Sequence, residues 1–189
     1  MNPDLEQRFR DAVVGNPANV ALLGRLPALG LSDCWLVAGC LFQAVWNISA
    51  GRAPGDNVSD YDVFYFDDSD LSYEAEDLVI QRVLAEFADL GVTIEVKNQA
   101  RVHLWYAQRF GTGYPQLRSS KDGIDRFLVA GTCVGIGASR DNVGELYAPF
   151  GVADIFGGIL RPNPRNEPGN RYPAKAESYR ARWPRLRVV

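Results

Sequence analysis

Apolar residues fall at two different periods along this 189-residue chain, and the switches between them mark its elements. Leu5, Phe9, Ala12 and Val13 keep helical spacing behind Pro3, and a second short helix is expected from Val20 to Leu26, ahead of Pro27 and Gly30. Residues 1–30 thus read as a helical packing segment. Beyond them Cys34–Ala38 predicts a short buried strand, and Cys40–Ser49 a helix with Leu41, Val45 and Ile48 along one side. Residues 50–59 form a loop rich in Gly, Pro, Asp and Asn, and Asp60–Phe66 is a strand. Ser72 caps a helix running to about Leu90. Val92–Val96 is a third strand, Ala100–Phe110 another helix, Asp122–Val129 helical, Thr132–Ile136 strand-like and Ala153–Phe156 a last helical turn. This order predicts an α+β domain over residues 31–160, a small mixed β-sheet flanked by helices. From Arg161 onward five prolines interrupt the chain, so residues 161–189 are expected to form an extended, Pro-rich basic arm.

Composition narrows the class of protein. The chain is large enough for one well-buried core, and its apolar and charged fractions are those of an ordinary globular protein. No 18-residue uncharged apolar span and no basic start followed by an apolar block occur, so neither a membrane span nor a signal peptide is expected. Three cysteines without CxxC spacing argue against a disulfide framework or a zinc site, and a reducing cytoplasm is the natural compartment.

Charge changes the picture more. The net charge of −3 divides into +6 on residues 161–189, with eight Lys/Arg against two Glu, leaving −9 on the rest. Residues 56–77 hold nine Asp/Glu and no Lys or Arg. An acidic centre can serve a metal and a basic tail a polyanion; equally, the two can neutralise each other or face solvent.

Within the acidic stretch, Asp60 and Asp62 stand one residue apart at the mouth of a strand and so share a face. At about 7 Å two carboxylates repel by about 2 kcal/mol at an effective dielectric near 20, which a bound divalent cation relieves. Mg²⁺ takes one or two carboxylates plus substrate phosphates. Glu95, between Ile94 and Val96 on the opposite strand face, is the third acid that a two-metal phosphoryl-transfer site needs. Gly39-Cys40, at a strand-to-helix junction, lets backbone N–H groups approach a phosphate. Asp67, Asp68 and Asp70 read as solvated turn residues, His103 as a half-buried, hydrogen-bonded side chain and Trp46 as core. Asp154 reads as a helix-terminal acid. Asn98 and Arg101 follow Glu95 closely enough to reach a nucleotide's sugar or phosphates; a turn and helix start is the alternative reading.

Leu36-Val37-Ala38-Gly39-Cys40, a ten-residue helix, a Gly-rich loop and Asp60-Tyr61-Asp62-Val63 together resemble the head of the DNA polymerase β-like nucleotidyltransferase superfamily. With Glu95–Tyr106 and Ala148–Phe156, the likeness covers roughly residues 30–165 and is closer to a bacterial branch of these nucleotidyltransferases. The resemblance implies that Asp60, Asp62 and Glu95 are the catalytic, metal-binding acids, with two Mg²⁺ ions, and that Gly39 and Cys40 cradle the triphosphate. Cys40 departs from the usual second Gly or Ser of that turn. The implied activity moves a nucleoside monophosphate from an NTP to a hydroxyl-bearing acceptor and releases pyrophosphate. A catalytically silent nucleotide- or partner-binding module on the same fold is the rival. RNA is a third expectation, as acceptor, held by Arg171, Lys175, Arg180, Arg182, Arg185 and Arg187 interleaved with Tyr172, Tyr179 and Trp183.

Overall fold

The computed structural model of the chain describes residues 2–166 and 171–189. Two N-terminal helices, α1 (Pro3–Val14) and α2 (Pro17–Arg25), each begin with proline behind an asparagine whose side chain accepts a backbone N–H, Asn2 from Asp4 and Asn16 from Ala18. The central sheet is built from β1 (Trp35–Val37), β2 (Tyr61–Tyr65) and β3 (Ile94–Asn98), with α3 (Gly39–Ser49) after β1 and α4 (Tyr73–Glu86) after β2. Then come α5 (Val102–Phe110), α6 (Ser120–Ile124), β4 (Gly135–Gly137), β5 (Leu146–Tyr147), α7 (Ala153–Gly157), β6 (Ile159–Leu160), α8 (Arg171–Arg182) and β7 (Arg187–Val188).

Five strands pair in the order β3-β2-β1-β4-β5, and β6-β7 form a separate small ribbon. β2 runs antiparallel to β1 and parallel to β3, giving the mixed α+β sheet the alternating pattern predicts. Register follows the side-chain period of two. Val37 sits opposite Asp62, and Asp62 opposite Glu95, so these three share a face, while Leu36, Val63 and Val96 share the other and are buried.

Several boundaries shift from the expected ones. The third strand starts two residues later than Val92 and ends at Asn98, where its parallel pairing with Tyr61–Tyr65 runs out. The segment expected to be helical over Asp122–Val129 forms its helix earlier, at Ser120–Ile124, where Ser119 accepts the Asp122 N–H as its cap.

The largest departure is the C-terminal segment. Among its described residues it is not an extended arm: Arg171–Arg182 is helical, with Pro173 in the first turn, where a missing N–H breaks no bond. Tyr172, Ala176, Tyr179 and Trp183 recur at helical spacing and are buried, Tyr179 and Trp183 against α3. The Trp183 ring lies 5.2 Å from that of Trp46, and Tyr179 lies 5.6 Å from Phe42 and 5.2 Å from Trp46, all edge-on. Trp183 Nε1 donates to Asn47 Oδ1 at 2.9 Å, and Trp46 Nε1 donates to the Ile155 carbonyl at 3.0 Å. Trp46 is thus core, as expected. Pro168 of the prolines that motivated the extended reading lies outside the described residues.

Replacing Trp183, 3 % exposed, by Ala is expected to lower the unfolding free energy of the whole chain by about 3–5 kcal/mol in urea titration. An arm hanging free of the domain gives no change.

Candidate active site

Strand β1 ends by turning sharply into α3. Ala38 takes φ 55° and ψ −117°, a backbone conformation costing an L-residue about 1–3 kcal/mol. It is held there because its N–H donates to the Val134 carbonyl while its own carbonyl accepts from Leu41 and Phe42. The Gly39 and Cys40 amides at the start of α3 donate to no backbone carbonyl among the described residues. Gly39 leaves room for a neighbour: a Cβ there would meet Gln43 Nε2 at 2.8 Å, so a larger residue would push the Gln43 amide aside.

The same turn settles where the Cys40 side chain goes. Its thiol is fully buried beneath the carboxylates and donates to the Val37 carbonyl at 3.6 Å. Burial, with the charge of Asp62 next, pushes the thiol well above its ordinary pKa. Cys40 is buried and does not line the cleft, so the difference between thiol and hydroxyl at this position does not reach it.

Asp60 and Asp62 line a cleft of about 430 Å³ together with Gly39, Gln43, Lys97 and Gln99. The charge of Asp62 is disfavoured there: burial first, then Asp60, then Glu95 push its pKa up to about 7, opposed by Lys175 and Lys97. Glu95 is the register partner of Asp62, but its side chain is 49 % exposed and lies 3.9 Å from Lys97 Nζ. Among the described residues no three His, Cys, Asp or Glu side chains converge into a ready-made metal cage. The structure therefore brings the two aspartates together in the cleft and leaves Glu95 beside it.

Two expected nucleotide contacts lie elsewhere. Arg101 is buried with its guanidinium bonded to Glu76 and, at 2.9 Å, to the Leu71 carbonyl. Asn98 accepts from the Ala100 and Asp67 amides and donates to the Asp67 carbonyl. Both are consumed in joining β3 to α4 and the Asp67 turn, which is the turn-and-helix-start reading, and neither lines the cleft. His103 is half-buried but, against expectation, its Nδ1 has no partner among the described residues. Asp67 and Asp70 cap Ser69 and Ser72 as turn residues, and Asp154 pairs with Arg161 at 2.6 Å at the head of α7.

The cleft also contains Lys97 and Ser178, which the sequence did not single out, and Arg171, Lys175 and Arg182, expected on an outlying RNA-binding arm. Lys97 follows Glu95 by two positions and so shares its face. Arg171, Lys175, Ser178 and Arg182 enter from α8. Their spacing of four, three and four was visible in the sequence, but the prolines around it pointed away from a helix. An aromatic group, Trp105, Tyr106, Phe110 and Tyr114, also lines the cleft, next to Arg171. Tyr172, Tyr179 and Trp183, expected to hold RNA from an outlying arm, are instead buried, Tyr179 against the cleft that it helps to line.

A mixed sheet that carries Asp62 on a strand and Asp60 just before it, beside a strained strand-to-helix turn, fits the nucleotidyltransferase resemblance, and comparison with known proteins agrees. The nucleotidyltransferase family model matches residues 24–188, and the chain belongs to that family. A solution structure described as revealing a CCA-adding enzyme head domain is 28 % identical, covers 97 % of this chain and 95 % of its own, and superposes with a TM-score of 0.77. Two further structures share the fold: a CCA-adding enzyme in complex with CTP (13 % identity, TM-score 0.51) and a tRNA-processing enzyme (15 %, 0.53). Both cover all of this chain, which spans 41 % and 45 % of their respective lengths. A search of curated proteins gave no match. Among the described residues no helix is long and apolar enough to cross a membrane.

The Asp62 charge makes a prediction for stability. A carboxyl whose folded pKa is raised weakens the fold as it ionises, so its penalty develops between about pH 4 and about pH 7 and is complete above. In EDTA, Asp62→Asn is expected to melt higher than wild type at pH 8, by on the order of 1–4 kcal/mol. The gap should close as the pH is lowered to 4. A constant gap, or none, contradicts the buried-charge account.

Proposed function

We propose that this nucleotidyltransferase-family chain catalyses Mg²⁺-dependent transfer of a nucleoside monophosphate from an NTP to a hydroxyl acceptor. The observation carrying this reading is the placement of Asp60 and Asp62 in one cleft with Gly39, the first residue of α3. The donor set suits the metal: hard carboxylate oxygens, one of them with a charge that burial disfavours and a cation relieves. Two carboxylates that do not close a cage fit a cation whose remaining ligands are substrate phosphates and water. Asp60 and Asp62 would hold Mg²⁺, up to two ions, which when bound supplies Lewis-acid neutralisation of the phosphate charge.

The protein's residues then have separable tasks. The Gly39 and Cys40 amides, with the positive end of α3, orient the triphosphate. Glu95, half-exposed at the lip and in register with Asp62, orients the acceptor hydroxyl and takes its proton. The acceptor oxygen forms a bond to the α-phosphorus as the bond from that phosphorus to the α,β-bridging oxygen breaks. Pyrophosphate leaves with the electron pair. The 28 %-identical relative is described as a CCA-adding enzyme head domain, so an RNA 3′-hydroxyl with CTP or ATP is the first pairing to assay.

A silent nucleotide-binding module is the second reading, favoured by the open arrangement of the acids. Pyrophosphate release over an NTP and acceptor panel separates the two. Turnover is expected in wild type with Mg²⁺, lost by at least about 100-fold in Asp62→Ala and reduced about 10- to 1,000-fold in Glu95→Gln with little change in melting temperature. NTP binding that is independent of Mg²⁺, or unchanged in Asp62→Ala, rejects the first reading. Mg²⁺-dependent binding without release on any acceptor favours the second.

A further inference from the structure

Helix α8 carries two stripes one residue out of step. Tyr172, Ala176, Tyr179 and Trp183 pack into the core. Arg171, Lys175, Ser178 and Arg182 precede them by one position each and line the cleft that holds the aspartates. An amphipathic helix ordinarily turns its polar stripe to bulk water; this one turns it onto a carboxylate site. The cleft is thereby lined by five cations, Lys97, Arg126, Arg171, Lys175 and Arg182, against two carboxylates. That is more positive charge than Asp60 and Asp62 require, and it marks the cleft for a polyanion.

The four stripe residues are not equally occupied. Arg182 donates to Gln43 Oε1 at 2.8 Å and to the Asn57 carbonyl, so it ties α8 to the residue packed on Gly39. Arg171 bonds the Tyr106 hydroxyl and lies over the Phe110 ring at 4.7 Å. Lys175 makes no hydrogen bond or ion pair with any described residue; its ammonium rests 5.0 Å from the Tyr179 ring centroid. Ser178, one helical turn further on, adds a hydroxyl donor. A lysine uncommitted to the protein, lining the same cleft as Asp62 and Gly39, is placed for an anionic ligand.

We propose that Lys175 and Ser178 form a second phosphate wall, in the same cleft as Gly39, that holds the β- and γ-phosphates of the donor and the departing pyrophosphate. The assignment rests on the nucleotidyl-transfer reading and gives the basic C-terminal segment a role inside the site. Negative charge grows on the bridging oxygen as its bond to the α-phosphorus breaks, so Lys175 acts on the transition state as well as on binding.

Inorganic tripolyphosphate with Mg²⁺ is the probe, measured by calorimetry on the full chain, with pyrophosphate-release kinetics alongside. Lys175→Ala is expected to weaken tripolyphosphate binding by roughly 10- to 100-fold and to lower kcat as well as raise KM for NTP. Lys175→Arg should restore most of the binding, and Ser178→Ala should give a smaller loss. Arg180→Ala removes a charge from the same helix that does not line the cleft and pairs with Glu177, and is expected to change nothing. Lys175 is exposed, so these variants should melt as wild type does. Wild-type binding retained in Lys175→Ala, or an equal loss in Arg180→Ala, overturns the α8 wall. If Asp62→Ala then still abolishes Mg²⁺-dependent NTP binding, nucleotidyl transfer stands without the wall. Failure of wild type to bind either tripolyphosphate or NTP overturns both.

Discussion

The position of the Asp62 carboxylate constrains everything around it. It projects from the second strand of a sheet whose other members cover it from both sides, above a buried thiol and beside two further acids. Burying a negative charge next to others is unfavourable unless cations answer it. Folding alone supplies partial answers, from Lys97 on the neighbouring strand and Lys175 on the last helix, and they leave the carboxyl near neutral-pH titration. The remainder is what a metal ion and its phosphates would provide. A site unfavourable by itself and completed by its ligand is the arrangement expected where stability is subordinated to binding.

That requirement explains the path of the chain after residue 160. Asp60 and Asp62 are presented by β2 and the residue before it, far earlier in the chain. Here the chain returns across the site, and it is anchored from both directions. Trp183 and Tyr179 pin the helix to α3 by aromatic contacts, while Arg52, Arg182 and Arg185 bond carbonyls between the helix end and the loop that precedes Asp60. The loop leading into the acids and the helix facing them are thus one packed unit. Damage to the C-terminal segment reaches the cleft through packing, with no change to any acid.

How much of this was legible in the sequence follows from the range of the interactions involved. The strand-turn-helix around Gly39, the strand bearing Asp60 and Asp62, and Glu95 on the neighbouring strand are set by local periodicity and turn chemistry, and were readable. The small mixed sheet follows from their order, whereas its edge strand at Leu146–Tyr147 was not read. Arg101 and Asn98 were misplaced because their partners, Glu76, Leu71 and Asp67, are 22 to 31 residues away, and nothing local distinguishes a buried ion pair from a ligand contact. The C-terminal helix was misread for another reason. Its prolines are strong local signals, but Pro173 falls in a first turn that tolerates it and Pro184 falls after the helix has ended, so neither breaks it. The burial of three aromatics at helical spacing, a tertiary gain, outweighs a weak local preference.

The same comparison bears on how the basic residues should be understood. An excess of +6 in the last 29 residues reads as an appendage for a polyanion only while the segment is imagined outside the domain. Once the helix is docked, its charges separate by direction. Arg180, with Glu177, faces solvent, where an exposed pair contributes little. Lys175 and Arg182 face the carboxylates from within the cleft, where lower effective dielectric makes each charge count for more. Composition is identical in the two cases, and only the helical phase differs. One residue of rotation decides whether this segment is a solvated surface or a wall of the site, and the buried stripe of Tyr172, Ala176, Tyr179 and Trp183 sets that phase.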